Sequence, residues 1–321
     1  MRHARTGWDN TELREGRRVL TVEANDFREH PGNAPIALLN LTCVYCGVEL
    51  TSGNATKEHV VGRRFVPKGK LDGWWNLIVR ACQTCNGIKA DLENDISAIT
   101  LASNASGRFA TSDASHRAEA VRKGRRSLSR RTGKPVRDSS EQLKVEAALG
   151  PGIQISAEFI GPPQLEVDRI FHLARLHVRA FFYWLTYDKA SRKGKWWHEG
   201  CYFVEHAIRA DWGNPLIRGF ADTVSSWEPR IIATTADGFF RVAIRRHPVA
   251  GCFSWALEWN QNYRIVGFFG DHRVAQDIVN ALPALEAQTI AQSSGDLVRI
   301  RHNVALKEEV DKLFVWPSVS R

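Results

Sequence analysis

Cys43-Val44-Tyr45-Cys46, Thr56-Lys57-Glu58-His59-Val60-Val61, Trp75-Asn76-Leu77-Ile78-Val79-Arg80 and Cys82-Gln83-Thr84-Cys85-Asn86-Gly87-Ile88-Lys89 follow one another within residues 41–101. Two Cys-x-x-Cys pairs, 35 residues apart, bracket one histidine, His59. Each pair presents two thiolates from one tight turn, and two pairs complete the tetrahedral shell of a Zn2+ ion. Cys43, Cys46, Cys82 and Cys85 leave no coordination position open, so the zinc they predict is structural. Gly47 and the Asn86-Gly87 pair suit the turns that such knuckles need.

Between the pairs the pattern predicts a short strand ending near His59, a loop rich in Gly and Lys, and a second strand over 76–80. After the second pair, Ile88, Leu92, Ile96 and Ile99 recur at intervals of four, four and three. That spacing predicts a helix starting near Asn86 with one apolar stripe.

Phosphodiester hydrolysis needs a base to activate water and a cation to offset charge on the phosphorane and the leaving oxygen. His59 beside Glu58 at a strand end offers the beginnings of both. Asn86 at the opening of the next helix adds a neutral oxygen, which a hard ion such as Mg2+ accepts. Taken together, these residues resemble the HNH endonuclease family of the ββα-metal superfamily, in its four-cysteine branch with Asn in the last position. The resemblance covers about 60 of the 321 residues.

It implies that His59 is the general base, its ring held in the proper tautomer by an acceptor, and that Asn76 ties the loop between the strands and so positions His59. Glu58 and Asn86 would bind a catalytic Mg2+ or Mn2+, and Arg80 and Lys89 would contact flanking phosphates. The implied substrate is DNA, cut to 5′-phosphate and 3′-hydroxyl ends. Gly62 departs from the family pattern, where Pro often follows the His by three residues, and Glu58 stands where Asp is also frequent. A reading from another class is a zinc-dependent nucleic-acid-binding or assembly module without catalysis.

Outward from this module the chain is less explicit. Its net charge of +9 and pI near 9.4 favour an acidic polymer as partner. Hydrophobic content of 43% and charged content of 25% are ordinary for globular chains. No apolar run marks the start for export, and no stretch reaches the ~18 apolar residues of a membrane span. Six cysteines in such a chain predict a soluble, cytoplasmic protein with metal-binding thiols.

The expected fold class is α+β. A polar N-terminal arm over 1–40 precedes the zinc-stapled ββα-metal module over 41–101. A basic linker over 102–150 then leads to a separate α+β domain over 151–321, supplying specificity or regulation. From Arg108 to Arg137 there are ten Lys or Arg against Asp113 and Glu119, a net charge of +8. Arg122, Lys123, Arg125, Arg126, Arg130 and Arg131 form the centre of this run and read as phosphate contacts. Farther on, apolar residues from Val167 to Leu185 predict a long helix. Trp197, Cys201, Val204 and Ile208 predict a second, stopped by Gly213-Asn214-Pro215. Ile231-Ile232 and Phe240, Val242 and Ile244 flank a hairpin turn at Asp237-Gly238. Phe253, Trp255, Leu257 and Trp259 alternate on one face, and 263–269 supplies a further strand of an antiparallel meander. Helices over 274–287 and 304–314 would finish the chain. His198-Glu199 and Glu205-His206 lack the i, i+4 pairing of a zinc helix, and the eleven Trp read as core.

Overall fold

A computed structural model describes residues 33–103, 108–150, 153–161, 165–197, 200–293 and 296–316. The expected N-terminal arm lies outside these as far as residue 32, as do His198 and Glu199. The described chain is mixed α+β, and none of its helices is long and apolar enough to cross a membrane.

The cysteine-bracketed stretch forms a small sheet with a helix against it. Strand β1 (Ile36–Ala37) pairs in parallel with β3 (Leu77–Cys82), and β2 (Ala55–His59) pairs antiparallel with the other edge of β3. Helix α1 (Gln83–Leu101) follows β3 directly, starting three residues before the expected Asn86. Cys82 is its N-cap and makes no side-chain cap bond. Asn86 lies inside the helix, so its amide is free for a tertiary role. Of the predicted stripe, Leu92 and Ile96 are buried, while Ile88 is 41% exposed.

Within the stretch expected as a linker, the described residues 108–150 are folded. Asp113 caps α2 (Ala114–Arg126) by accepting from Ser115 N at 2.7 Å and His116 N at 3.3 Å. Lys123, Arg125 and Arg126 in the last turn complement the helix dipole. Strands β4 (Glu141–Gly150) and β5 (Ile153–Gly161) then form a hairpin. Helix α3 (Val167–Leu185) matches the long helix read from the sequence.

The expected helix at Trp197–Ile208 is instead strand β6 (Cys201–Ile208), at the edge of a five-stranded antiparallel sheet. Gly213-Asn214-Pro215, read as a stop, is a start. Asn214 accepts from Ile217 N at 2.9 Å, and Pro215 opens α4 (Pro215–Val224), where its missing N–H is no loss. The meander follows as β7 (Glu228–Thr235), β8 (Phe240–Arg246), β9 (Cys252–Trp259) and β10 (Tyr263–Gly270), in the sheet order β6-β10-β9-β8-β7. Ala236, Asp237 and Gly238 turn one hairpin, and Asn260 and Gln261 another, all in left-handed conformation. Helix α5 (His272–Ala281) and the hairpin of β11 (Gln288–Ser293) and β12 (Asp296–Ile300) come next.

No helix forms over 304–314, apart from a short 3-10 turn at Glu308–Val310. Buried arginines hold that segment. Arg264 pairs with Glu258 at 2.9 Å and Asp311 at 2.7 Å, and Arg245 donates to Val315 O at 2.7 Å.

The sheet has two apolar faces. Phe253, Trp255, Leu257 and Trp259 share one core with α3, while Ala256, Val266 and Phe268 pack with Phe220 and Ala275 of α4 and α5. The first core also takes in Val60, Phe65, Trp75, Leu77 and Ile96 of the cysteine-bracketed stretch. Polar ties cross the same seam: Trp75 Nε1 donates to Thr234 O at 2.7 Å, and Asn260 Nδ2 to Thr100 Oγ1 at 2.8 Å. Each large apolar side chain buried there contributes about 1.5–3 kcal/mol. Packing therefore runs continuously across the boundary expected between module and second domain.

Candidate active site and metal centre

Backbone bonds from Cys43 N to Val48 O and from Gly47 N to Cys43 O, with Gly47 at φ +81°, build the first knuckle. The second uses the last residue of β3 and the first turn of α1. The four sulfurs lie within 4.8 Å of one another, and Cys46 Sγ and Cys82 Sγ are 3.8 Å apart. Bonds of ~2.3 Å to a tetrahedral Zn2+ require sulfur separations of about 3.8 Å, so these donors fit a zinc ion. With thiols alone the group must share protons. A hydrogen bond from Cys85 pulls Cys43 down to about 5, and the same contact, then burial, pushes Cys85 up. Trp196 covers Gly47 and donates to Val44 O at 3.0 Å, and Arg179 donates to Tyr45 O at 3.0 Å.

His59 closes β2. Its neighbour Asn76 holds the following loop from both sides, accepting from Val61 N at 3.2 Å and donating to Val61 O at 2.7 Å. Among the described residues none gives the ring's Nε2 the expected acceptor: it is buried without a hydrogen-bond partner. Burial, then Arg63, Lys57 and Lys89, hold its pKa below the ordinary 6.5, so the ring is neutral at pH 7.

Glu58 points the other way, toward α1. Lys89, 1% exposed, places its ammonium 2.8 Å from Glu58 Oε1 and 2.6 Å from Glu93 Oε1, and it also donates to His59 O at 3.3 Å. Tyr45 donates to Glu58 Oε1 at 3.1 Å, and Gly62 N to Glu93 Oε1 at 3.3 Å. His177 of α3 lies beyond, its Nε2 3.7 Å from Glu93 Oε1, too long for a normal hydrogen bond. Burial raises Glu58 despite Lys89. Burial also acts to raise Glu93, but Lys89 and His177 outweigh it and hold that carboxyl below its usual range. Lys89 stays protonated because Glu93 and Glu58 overcome its desolvation.

Asn86 and Glu58, expected to share a divalent cation, thus lie along the same strand–helix seam but are otherwise engaged. Asn86 Nδ2 donates to Thr56 Oγ1 at 2.9 Å. The Glu58 carboxylate already has a cation in Lys89, so as folded these residues do not fit a divalent-ion shell. Lys89, expected at a phosphate, is enclosed between the two glutamates.

The basic run divides. Lys123 is not a phosphate contact: it is 5% exposed, its ammonium meets Arg64 O, Phe65 O and Ser97 Oγ, and burial pulls it down to about 8. Arg122 is paired with Glu119 and Arg130 with Asp91, while Arg125 and Arg126 are exposed. Arg131 also has a partner within the structure.

Reading the sequence missed Tyr45, Glu93 and His177. The Lys89–Glu93 spacing of i, i+4 was the available signal for one of them. For His177 there was none, since only the packing of α3 on α1 brings it to Glu93. No family model, curated protein or solved structure matches this chain.

Proposed function

We propose that the protein is an endonuclease that hydrolyses DNA with His59 as general base inside a zinc-stapled ββα module. The observation that carries the reading is His59 itself, a neutral imidazole at a strand end whose loop is clamped by Asn76. In this reading the imidazole takes a proton from water as the oxygen attacks phosphorus. The bond from phosphorus to the 3′ oxygen breaks, leaving a 5′-phosphate and, after protonation, a 3′-hydroxyl. The positive charges of Arg63 and Lys57, which act with burial to lower the His59 pKa, also favour the phosphorane's growing negative charge. The resemblance brings Mg2+ or Mn2+ with it. Because Lys89 already balances Glu58, the reading rests on His59 and the cations around it.

Nicking of supercoiled plasmid, with and without added Mg2+ or Mn2+, tests the proposal. His59→Ala should slow cleavage by about 10²–10⁴-fold without unfolding the chain. Wild-type activity should fall as pH drops through a pKa below 6.5. Equal rates in wild type and His59→Ala would assign the base elsewhere. One observation favours the second reading, a binding module without hydrolysis: Glu58 is occupied by Lys89. Absence of nicking in every metal condition, with DNA binding intact, would select it.

A further inference from the structure

We infer that the outer face of the β2–β3 ladder, around His59, is a docking surface for the phosphate backbone of duplex DNA, contacted by Lys57, Arg63 and Arg80. The inference deepens the hydrolytic reading, and rests on it only for the chemistry after docking. Strand register makes the face. Lys57 lies directly opposite Arg80, and His59 opposite Ile78. Residues i and i+2 of a strand share a side, so Lys57, His59, Ile78 and Arg80 stand together while Glu58, Leu77 and Val79 turn inward. Their burial agrees: the first four are exposed or half-buried and the other three are buried.

Two like charges facing each other across a ladder destabilise it unless a counterion intervenes. None does. Glu58 is turned inward to Lys89, and Lys57, Arg63 and Arg80 form no ion pair among the described residues. The Arg80 strand position is held in place: its backbone N–H donates to Asn40 Oδ1 at 2.9 Å and its guanidinium to Asn40 O at 3.3 Å. Arg63 follows His59 by four residues, on the loop that leaves β2, and is exposed. Unmatched cations beside the His59 ring complement a polyanion, and a backbone lying along the Lys57–Arg80 pair would pass over His59. The conspicuous basic run is different, since Arg122, Lys123, Arg130 and Arg137 are already engaged within the protein.

The test uses the full chain, a fluorescent 20-base-pair DNA duplex, and a buffer without added divalent cation, which suppresses metal-dependent cleavage and leaves the knuckle zinc in place. Anisotropy titrations at several salt concentrations give the log–log slope. Lys57→Ala/Arg63→Ala removes two exposed side chains without ion pairs, so folding should be retained, as circular dichroism would show. The slope should become shallower by about 1.8, at about 0.9 per lost phosphate contact. An unchanged slope overturns the inference, as does a wild-type chain that does not bind the duplex. Equal displacement of the duplex by polyglutamate of matched charge would also overturn it, as a surface for any polyanion. Plasmid nicking is scored separately, so loss of cleavage with the slope effect intact would sink only the hydrolytic reading.

Discussion

The cysteine knuckles and the Glu58–Lys89–Glu93 node lie in the same module and meet the same electrostatic problem in opposite ways. At the knuckles, four sulfur ligands converge on one another. At the node, two carboxylates converge on an ammonium supplied by the chain. Burying anions without a counterion is prohibitive, so the first cluster must either hold protons or recruit a metal. The second is complete as folded. Charge balance inside a cluster, more than its number of ligand atoms, distinguishes a place for a metal from a structural ion pair.

The largest expected effect falls at the knuckles. Cys82→Ser, or a strong chelator, should remove zinc and destabilise the module by on the order of 10 kcal/mol. The same chelator should leave the node untouched in any fraction that stays folded. Elemental analysis of the purified protein that finds no zinc would erase the contrast, since both clusters would then be metal-free.

At the node the charge comes from the chain and can be deleted only by mutation. Lys89→Met leaves two largely buried carboxylates facing each other, and should cost about 3–5 kcal/mol in denaturant unfolding. Adding Glu58→Gln and Glu93→Gln should recover much of this, because no uncompensated charge remains. If the triple variant is as unstable as the single one, packing of the Lys89 stem and not charge balance holds the node.

The two clusters also differ in how legible they are in the sequence. Each knuckle is a local turn, so the spacing of Cys43, Cys46, Cys82 and Cys85 already contains it. Helix α3 is equally legible, because its periodicity runs for 19 residues. The node is only partly so: Lys89 and Glu93 stand i, i+4 on one helix, but Glu58 joins them only once β2 has packed on α1. Strand β6 is misread because Cys201, Val204 and Ile208 satisfy a helical period, while the β10 edge that claims this segment lies some 60 residues onward. Gly267 marks that pairing, as a Cβ there would strike Tyr202 O. Asn214-Pro215 fits a helix stop or a helix start, and only the packing of residues 215–224 decides between them. The C-terminal segment shows an apolar pattern compatible with a helix, yet Arg264 and Arg245 hold it as an irregular strap.

Between pH 6.5 and 4 the comparison can be sharpened through His177. Burial pulls this ring down to about 4 from an ordinary 6.5. Through that window the unfolded chain binds a proton that the folded ring refuses, so stability should decline as pH falls and level off below about 4. Two and a half pH units correspond to roughly 3 kcal/mol. His177 packs edge-on against Phe65, Phe240 and Trp259, so His177→Phe should keep the aromatic contacts while removing this slope. The difference between wild type and variant reads the ring together with its hold on Glu93, while Glu58 titrates in both. Parallel stability curves would mean that the ring is hydrated or charged in the folded state.

The smallest expected effects separate two glycines, one in each cluster. Gly47 turns the first knuckle at φ +81°, and a Cβ there would meet only the Trp196 ring at an ordinary 3.7 Å. Its constraint is conformational, so Gly47→Ala should cost about 1–2 kcal/mol and Gly47→Asn less, because Asn tolerates the left-handed region. Gly62 has no such backbone demand. A Cβ there would collide with the Glu93 carboxylate, lying 2.8 Å from Cδ, so Gly62→Ala should push Glu93 away from Gly62 N and strain its pairing with Lys89. Overpacking of this kind costs about 1–3 kcal/mol, and Asn should be worse than Ala because it is larger. The ranking of Ala and Asn is therefore opposite at the two positions. Denaturant unfolding of the four variants reads it directly, and the same ranking at both sites would show that one kind of constraint, backbone or steric, governs both clusters.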